Sequence, residues 1–337
     1  MIDGASDLLV DLASQGLGGK VLAANDDFFA SKDNLVKDAD PVWDPDKFTS
    51  RGKWMDGWET RRRREPGHDW AVVALGIPGI LRYLVVDTAH FTGNFPESAS
   101  IEAIDLSGNP SVVELVRDPG RWIEVIPRTL LRGDTQNELT VGHNGRVTHL
   151  RLVIYPDGGV ARLRVKGDPV PPDGLLDGER EADLALLQNG ARAIDCSDRH
   201  YSSPNRMLVP GRAKGMWDGW ETRRRRGAGN DWAVIRLAGR GEVSRLELDT
   251  THFKGNAPGS VDVEAIDAAG ARIGDLRFAQ WSTLLPEMPV EPNSRHRWSD
   301  LAAAGPATHI RLNIHPDGGV ARFRAYGRSD KPWISLA

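Results

Sequence analysis

Short runs of apolar residues, many alternating with polar ones, recur along the whole chain between Gly, Pro, Asn and Asp. The runs "SIEAIDL" (100–106) and "VDVEAIDA" (261–268) alternate, and "RYLVVDTAHF" (82–91) is rich in β-branched and aliphatic residues. Such runs predict β-strands. Two stretches instead predict short helices, "SDLLVDLASQGLGG" (6–19) and "READLALLQNGARA" (180–193).

The same blocks appear twice, in the same order. "DGWETRRRR" stands at 56–64 and again at 218–226, followed in each half by "DTAHF" (87–91) or "DTTHF" (249–253). Near the end of each half, "THLRLVIYPDGGVARLRVKG" (148–167) matches "THIRLNIHPDGGVARFRAYG" (308–327). This spacing is far longer than a solenoid repeat, so the sequence predicts two whole duplicated domains.

The strand pattern and the duplication together set the predicted architecture. Strand–turn–strand units at regular spacing are typical of antiparallel sandwiches. We therefore predict an all-β fold of two tandem jelly-roll β-sandwich domains, with a first repeat at 1–168, a Pro/Gly/Asp-rich linker at 169–180 and a second repeat at 181–337.

Composition narrows the class of protein. The 337 residues are 40% hydrophobic and 27% charged with a formal net charge of -4, so a globular protein is expected and a nucleic-acid partner is not. The single cysteine rules out an intrachain disulfide. The first residues show no secretory signal pattern and no window reaches 18 uninterrupted apolar residues, so we expect a cytoplasmic protein without a membrane partner.

The duplicated blocks carry the candidate chemistry. Aspartate beside histidine suits acid–base catalysis, so the predicted catalytic residues are Asp87, His90, Asp249 and His252, with the carboxylates Glu59 and Glu221. The predicted ligand-binding residues are Arg61, Arg223, Asn94, Asn256, Arg162 and Arg322. A purely structural role stays open for all of them. The Asp and His residues could be hydrogen-bonded at a turn, the Arg residues could form ion pairs, and the Asn residues could cap turns.

Metal and thiol chemistry have weaker support in the sequence. There is no HxH, HExxH or CxxC pattern, so no cofactor is firmly implied, and a divalent metal held across strands is left open. Cys196 is not predicted to be a nucleophile, because the corresponding position in the other half shows no cysteine.

The assembled blocks resemble the allantoicase family over nearly the whole chain. The resemblance rests on "DDFFASKDNLV", "GKWMDGWETRRRR", "VDTAHFTGNFPESASIEA" and their echoes in the second half. It implies a repeated, galactose-binding-like jelly roll that hydrolyses allantoate to ureidoglycolate and urea in purine nitrogen breakdown. From the chemistry of such a substrate, we expect Arg61 and Arg223 to bind its carboxylate and Asn94 and Asn256 to bind its ureido arms.

Other functions remain open from the sequence. A non-catalytic module that binds a small ligand or carbohydrate is the main alternative, because jelly rolls often bind sugars and fold alone does not establish an enzyme. A structural scaffold, a metal-dependent hydrolase of a related ureide and a homo-oligomer are also left open.

Overall fold

The structure is a computed structural model that describes residues 8–332, apart from residues 107, 109, 118 and 173. The chain divides into two compact units. One is Val10–Asp168, and the other is the chain from Pro169 onward together with Leu8 and Leu9. Leu8 is held in the second unit because Asn205 donates its Nδ2–H to the Leu8 carbonyl at 2.7 Å. The sequence-based boundaries, with a linker at 169–180 between the two repeats, stay a prediction.

The first unit is an antiparallel β-sandwich, as the sequence predicts. Its strands are β1 (Val10–Asp11), β2 (Lys20–Ala24), β3 (Phe48–Thr49), β4 (Gly52–Lys53), β5 (Trp58–Glu59), β6 (Asp69–Asp87), β7 (Ser98–Ile104), β8 (Ile123–Leu130), β9 (Gln136–Thr140), β10 (Arg146–Tyr155), β11 (Gly159–Val160) and β12 (Arg162–Pro169). The main sheet runs β1-β12-β6-β10-β7-β8, with β2 and β9 also paired to β6. Helix α1 (Val112–Arg117) lies between β7 and β8.

Strand β6 connects the two layers of this sandwich. Its first part, up to Ala74, pairs with β2 and β10, whereas its last part, from Tyr83, pairs with β9. The β6–β10 register shifts between these parts, where Gly76 and Gly79 stand. A glycine is needed at Gly79 because a Cβ there would lie 2.4 Å from the Asp168 carbonyl oxygen. One strand of 19 residues thus contributes to both faces of the core.

The second unit repeats this arrangement. Its strands are β13 (Ala182–Asp183), β14 (Arg192–Cys196), β15 (Trp220–Glu221), β16 (Asp231–Asp249), β17 (Ser260–Ile266), β18 (Ser282–Pro289), β19 (Arg295–Trp298), β20 (Ala307–His315), β21 (Gly319–Val320) and β22 (Arg322–Pro332), with helix α2 at Ile273–Leu276. The main sheet runs β13-β22-β16-β20-β17-β18, with β14 and β19 on β16. The order matches that of the first unit, so the duplication extends to topology.

The two helices predicted before the repeats are wrong within the described residues. The first stretch forms β1 and a 3-10 turn at Gln15–Leu17, and the second forms β13 and a 3-10 turn at Leu187–Asn189. Each turn ends at a glycine with a left-handed backbone, Gly18 or Gly190. Glycine adopts that conformation readily and stops a helix, and edge-strand pairing holds the residues before it.

The core lies between the two layers of each sandwich. On β10, Leu150, Leu152 and Ile154 are fully buried and alternate with residues that face away from the core, as period-two patterning requires. The described part of the chain contains no helix with the length and apolar character needed to cross a membrane.

Candidate functional site

In each repeat, backbone hydrogen bonds join the duplicated loops into one cluster. In the first, β5 pairs with β11, and Glu59 exchanges two backbone hydrogen bonds with Ala30. The Gly159 N–H donates to the Asn94 carbonyl at 2.7 Å, which adds the "GNFP" loop. The second repeat pairs β15 with β21 and joins Gly319 to Asn256 at 2.8 Å in the same way. The blocks that look separate in the sequence are therefore neighbours.

Two glycines permit this close approach. A Cβ on Gly159 would lie 1.9 Å from the ring of Phe91, and a Cβ on Gly319 would lie 2.0 Å from the ring of Phe253. Both phenylalanines are fully buried. The "DGGV" turns are thus fixed against a packed aromatic side chain, which holds the site backbone in place.

A glutamate and an asparagine meet at the centre of each cluster. Asn94 donates its Nδ2–H to Oε1 of Glu59 at 2.8 Å, and Asn256 donates to Oε1 of Glu221 at 2.6 Å. Burial raises the pKa of Glu59, although the hydrogen bond from Asn94 acts to lower that pKa. A desolvated carboxyl group of this kind is suited to accept and release a proton.

The first arginine of each "RRRR" run is oriented by an aspartate. Arg61 Nε lies 2.6 Å from Asp26 Oδ2, and Arg223 Nε lies 2.8 Å from Asp198 Oδ2, while each arginine stays exposed. The backbone N–H of Arg223 also donates to Asp198. The terminal guanidinium nitrogens of Arg223 make no hydrogen bond among the described residues and could hold a carboxylate bidentately.

The other arginines of these runs have different roles. The third, Arg63 or Arg225, forms an ion pair with the buried Asp69 or Asp231. The second and fourth are exposed, and among the described residues no ion pair or hydrogen bond involves their side chains; they are Arg62, Arg64, Arg224 and Arg226.

Comparison with known proteins identifies the family of this chain. The family model described as "Allantoicase repeat" matches residues 10–170 and 182–330. The chain belongs to the allantoicase family. Among its relatives are probable allantoicase 1 of Burkholderia mallei, 43% identical over 96% of this chain and 95% of the relative, and a probable allantoicase of Nocardia farcinica, 45% identical over 95% and 94%. The solved allantoicase of Saccharomyces cerevisiae superposes with a TM-score of 0.78 at 35% identity, covering 94% of this chain and 92% of that one.

The allantoicase repeats do not pair Asp87 with His90 or Asp249 with His252. The Asp87 carboxylate accepts hydrogen bonds from Ala89 N–H and from Gln136, and no hydrogen bond or ion pair to His90 is found among the described residues. Asp249 accepts from Thr251 N–H and forms an ion pair with Arg295. Both aspartates are buried turn-forming residues, so the expected orientation of His by Asp is absent. The predicted acid–base role of these residues stays a prediction.

Each histidine instead contacts a loop that precedes the "DGWE" motif. His90 Nε2 lies 3.2 Å from the Pro41 carbonyl oxygen, and its ring stacks on Trp43 at 5.9 Å between centroids. His252 Nε2 lies 3.0 Å from the Ala213 carbonyl oxygen. Both histidines have positive φ, 69° and 76°, which directs the side chain out of the turn.

Arg162 and Arg322, which were predicted to bind the ligand, are buried in the structure, and their role as ligand contacts stays a prediction. Arg162 is fully buried and donates to the carbonyls of Ala39, Asp56 and Ala161 and to the Asp56 carboxylate. Arg322 forms the equivalent ion pair with Asp218 at 2.8 Å. Their charge holds the loops together from inside, because the "VAR" strand carries these side chains beneath the motif rather than into a cleft.

The second repeat has a cleft of about 830 Å³ beside Asp198 and Arg223. This volume lies within the ordinary range for small-molecule sites. Cys196 lines the cleft, and burial raises the pKa of its thiol to about 11, so the thiol is protonated and is a poor nucleophile.

Metal binding finds no ready ligand set. Among the described residues, no group of three or more His, Cys, Asp or Glu side chains could hold a metal ion.

Sequence reasoning missed Asp26 and Asp198 as partners of Arg61 and Arg223. The signal was present, since both aspartates open the loosely matching blocks "DDFF" and "DRHY".

Proposed function

We propose that this protein is an allantoicase, which hydrolyses allantoate to ureidoglycolate and urea. The match of both repeats to the family model carries the proposal, together with relatives named as probable allantoicases along nearly their whole length. The clustered Glu, Asn and Arg side chains favour a hydrolase over a binding module, because the reaction needs a proton carrier and burial raises the pKa of Glu59.

Binding of the substrate sets two requirements, a cation for its carboxylate and a hydrogen-bond acceptor for a ureido N–H. The carboxylate of allantoate needs a cation, which Arg61 or Arg223 supplies. A ureido N–H needs an acceptor. The Oδ1 atom of Asn256 is suited to this, since its Nδ2 is already committed to Glu221.

The reaction breaks the bond between the central carbon and one urea nitrogen. The leaving nitrogen must gain a proton, and the water that adds to the carbon must lose one. We assign this exchange to the carboxyl group of Glu59 or Glu221, which donates in one step and accepts in the other. The assignment suits loss of urea followed by addition of water to the resulting protonated imine, because the two proton transfers then fall in successive steps.

Urea release from allantoate by the purified protein tests the proposal. We expect turnover by the wild type and its loss in the double variant Glu59→Gln with Glu221→Gln. Circular dichroism and thermal unfolding show whether that variant keeps its fold. Absence of urea release by the folded wild type, with and without added divalent ions, would overturn the proposed activity.

A further inference from the structure

We propose that Asn144, in the loop between β9 and β10, is a site of spontaneous deamidation. The backbone nitrogen of Gly145 attacks the side-chain amide carbon of Asn144, and His143 takes the proton that this nitrogen loses. Water is the only other reactant, and the products are ammonia and an aspartyl or isoaspartyl residue. This site shares no residue with the clusters described above and is independent of the proposed activity.

An asparagine followed by a glycine is the pair in which this reaction is least hindered, because glycine has no side chain to obstruct the attacking nitrogen. The pair occurs twice in the chain, at Asn144–Gly145 and at Asn189–Gly190. Asparagine is one of the thermolabile residues of proteins, and attack within one chain has a large advantage over attack by a separate molecule. The fold determines which of the two pairs can react.

The fold leaves the reacting groups of the first pair free. Asn144 is exposed and belongs to neither neighbouring strand. Among the described residues, neither its side-chain amide nor the Gly145 N–H makes a hydrogen bond. The amide can therefore turn towards the backbone nitrogen, and no hydrogen bond has to break before the two meet.

The second pair is restrained at both reacting groups. Asn189 donates its Nδ2–H to the Asp183 carbonyl at 2.9 Å, and the Gly190 N–H donates to the Leu187 carbonyl at 3.0 Å. Gly190 also ends the 3-10 turn with a φ of 106°. Both hydrogen bonds must open before the nitrogen can reach the amide, so this pair is a control within the same chain.

His143 supplies a proton acceptor beside the first pair. A Cβ placed on Gly145 would lie 2.5 Å from Nε2 of His143, so the ring lies against this glycine. Among the described residues, no hydrogen bond or ion pair engages the imidazole. A neutral imidazole in this place can accept the proton of the Gly145 nitrogen directly or through one water.

The reaction balances in two steps. In the first, the Gly145 nitrogen bonds to Cγ of Asn144 and gives its proton to His143, which passes the proton to the departing nitrogen so that ammonia leaves. In the second, water opens the resulting cyclic imide at either carbonyl and gives aspartate or isoaspartate. The net change replaces an amide by a carboxylate and adds one negative charge to a chain whose formal net charge is -4.

Peptide mapping by mass spectrometry tests the proposal on the full-length protein after incubation near neutral pH in water enriched in heavy oxygen. Each deamidated peptide then carries a heavy oxygen atom from the water that opened the imide. We expect Asn144 to convert at least about tenfold faster than Asn189, because two hydrogen bonds restrain Asn189. In denaturant the two pairs should convert at similar rates, since the restraint comes from the fold.

Two variants test the assigned roles. His143→Gln should slow the conversion of Asn144 by about tenfold, a modest part of the usual effect of a general base, and should leave Asn189 unchanged. Asn144→Gln should leave its peptide unlabelled over the same time, because the longer side chain closes a larger and less favourable ring.

Three results would contradict the inference. Conversion of Asn144 no faster than that of Asn189 in the folded protein would reject the site. A rate difference that persists in denaturant would show that the fold does not select the pair. An unchanged rate in His143→Gln would remove the histidine from the reaction.

Discussion

Asn256 Nδ2 lies 2.6 Å from Glu221 Oε1, and the same hydrogen bond joins Asn94 to Glu59 at 2.8 Å in the other repeat. The two residues come from blocks 35 positions apart in each repeat. The asparagine side chain donates to Oε1 of the glutamate and leaves Oε2 without this donor. This arrangement positions one oxygen of the glutamate for proton transfer.

The first prediction separates the two repeats. Glu221→Gln should lower kcat for urea release by about 10²–10⁴-fold, because the variant keeps the shape and loses the proton carrier. Glu59→Gln is the matched variant in the first repeat, and the larger of the two losses in kcat identifies the repeat whose glutamate carries the proton. Steady-state kinetics on both folded variants decide the matter. Inactivity of Glu59→Gln alone would move the working site to the first repeat.

The second prediction concerns His90 and His252, whose contacts are to loop carbonyls rather than to a carboxylate. We expect His252→Phe to reduce kcat by less than about tenfold, since a general acid or base is worth about 10²–10⁴-fold. The pH profile of kcat/KM should keep its shape. Loss of one limb of that profile would instead identify His252 as the acid or base, and His90→Phe provides the matched measurement in the first repeat.

The third prediction tests the buried ion pair between Arg162 and Asp56, whose side chains are 0% and 8% exposed. Arg162→Met should destabilise the protein by about 3 kcal/mol, the lower end for breaking a buried ion pair, because Asp56 then keeps Lys37 as its only cation, at 3.2 Å. Arg62→Met is the control. Arg62 is exposed and makes no ion pair among the described residues, so its loss should stay within about 0.5 kcal/mol.

Denaturant unfolding measures both variants. The double variant Asp56→Leu with Arg162→Met should recover part of the lost stability, because no charge then remains buried. A single Arg162→Met variant as stable as the wild type would show that this pair does not hold the motif loop.

The architecture followed from the sequence because strand patterning and duplication are both local signals. Alternation in "SIEAIDL" and "VDVEAIDA" predicts β7 and β17, and repeated blocks predict a repeated topology. The predicted helices failed because the stretches at 6–19 and 180–193 are short, and pairing of β1 and β13 at sheet edges outweighs weak helix propensity.

The site was predicted less completely, for a physical reason. Sequence shows which polar residues occur together, but not which of them are already satisfied. Arg162 and Arg61 look alike in the sequence, yet one is enclosed by carbonyl oxygens and the other is exposed beside Asp26.

The last prediction concerns acid stability and His309, which is buried with Nδ1 at 2.9 Å from Thr308 Oγ1. Burial, with the nearby positive charge of Arg236, lowers the pKa of His309 from 6.5 to about 4. Between these pH values the unfolded chain binds more protons at this position than the folded protein does. Stability from this group is therefore fully present above pH 6.5 and declines as the pH falls towards 4.

The full loss from His309 is on the order of 3 kcal/mol, since each unit of pKa difference corresponds to about 1.4 kcal/mol. His309→Gln should be less stable than the wild type near neutral pH but should lose less stability on acidification. Thermal unfolding of both proteins across this range measures the difference in slope. His68→Gln, at an exposed histidine, should keep the slope of the wild type. Equal acid-induced losses in His309→Gln and the wild type would show that the buried imidazole is not what makes the second repeat sensitive to acid.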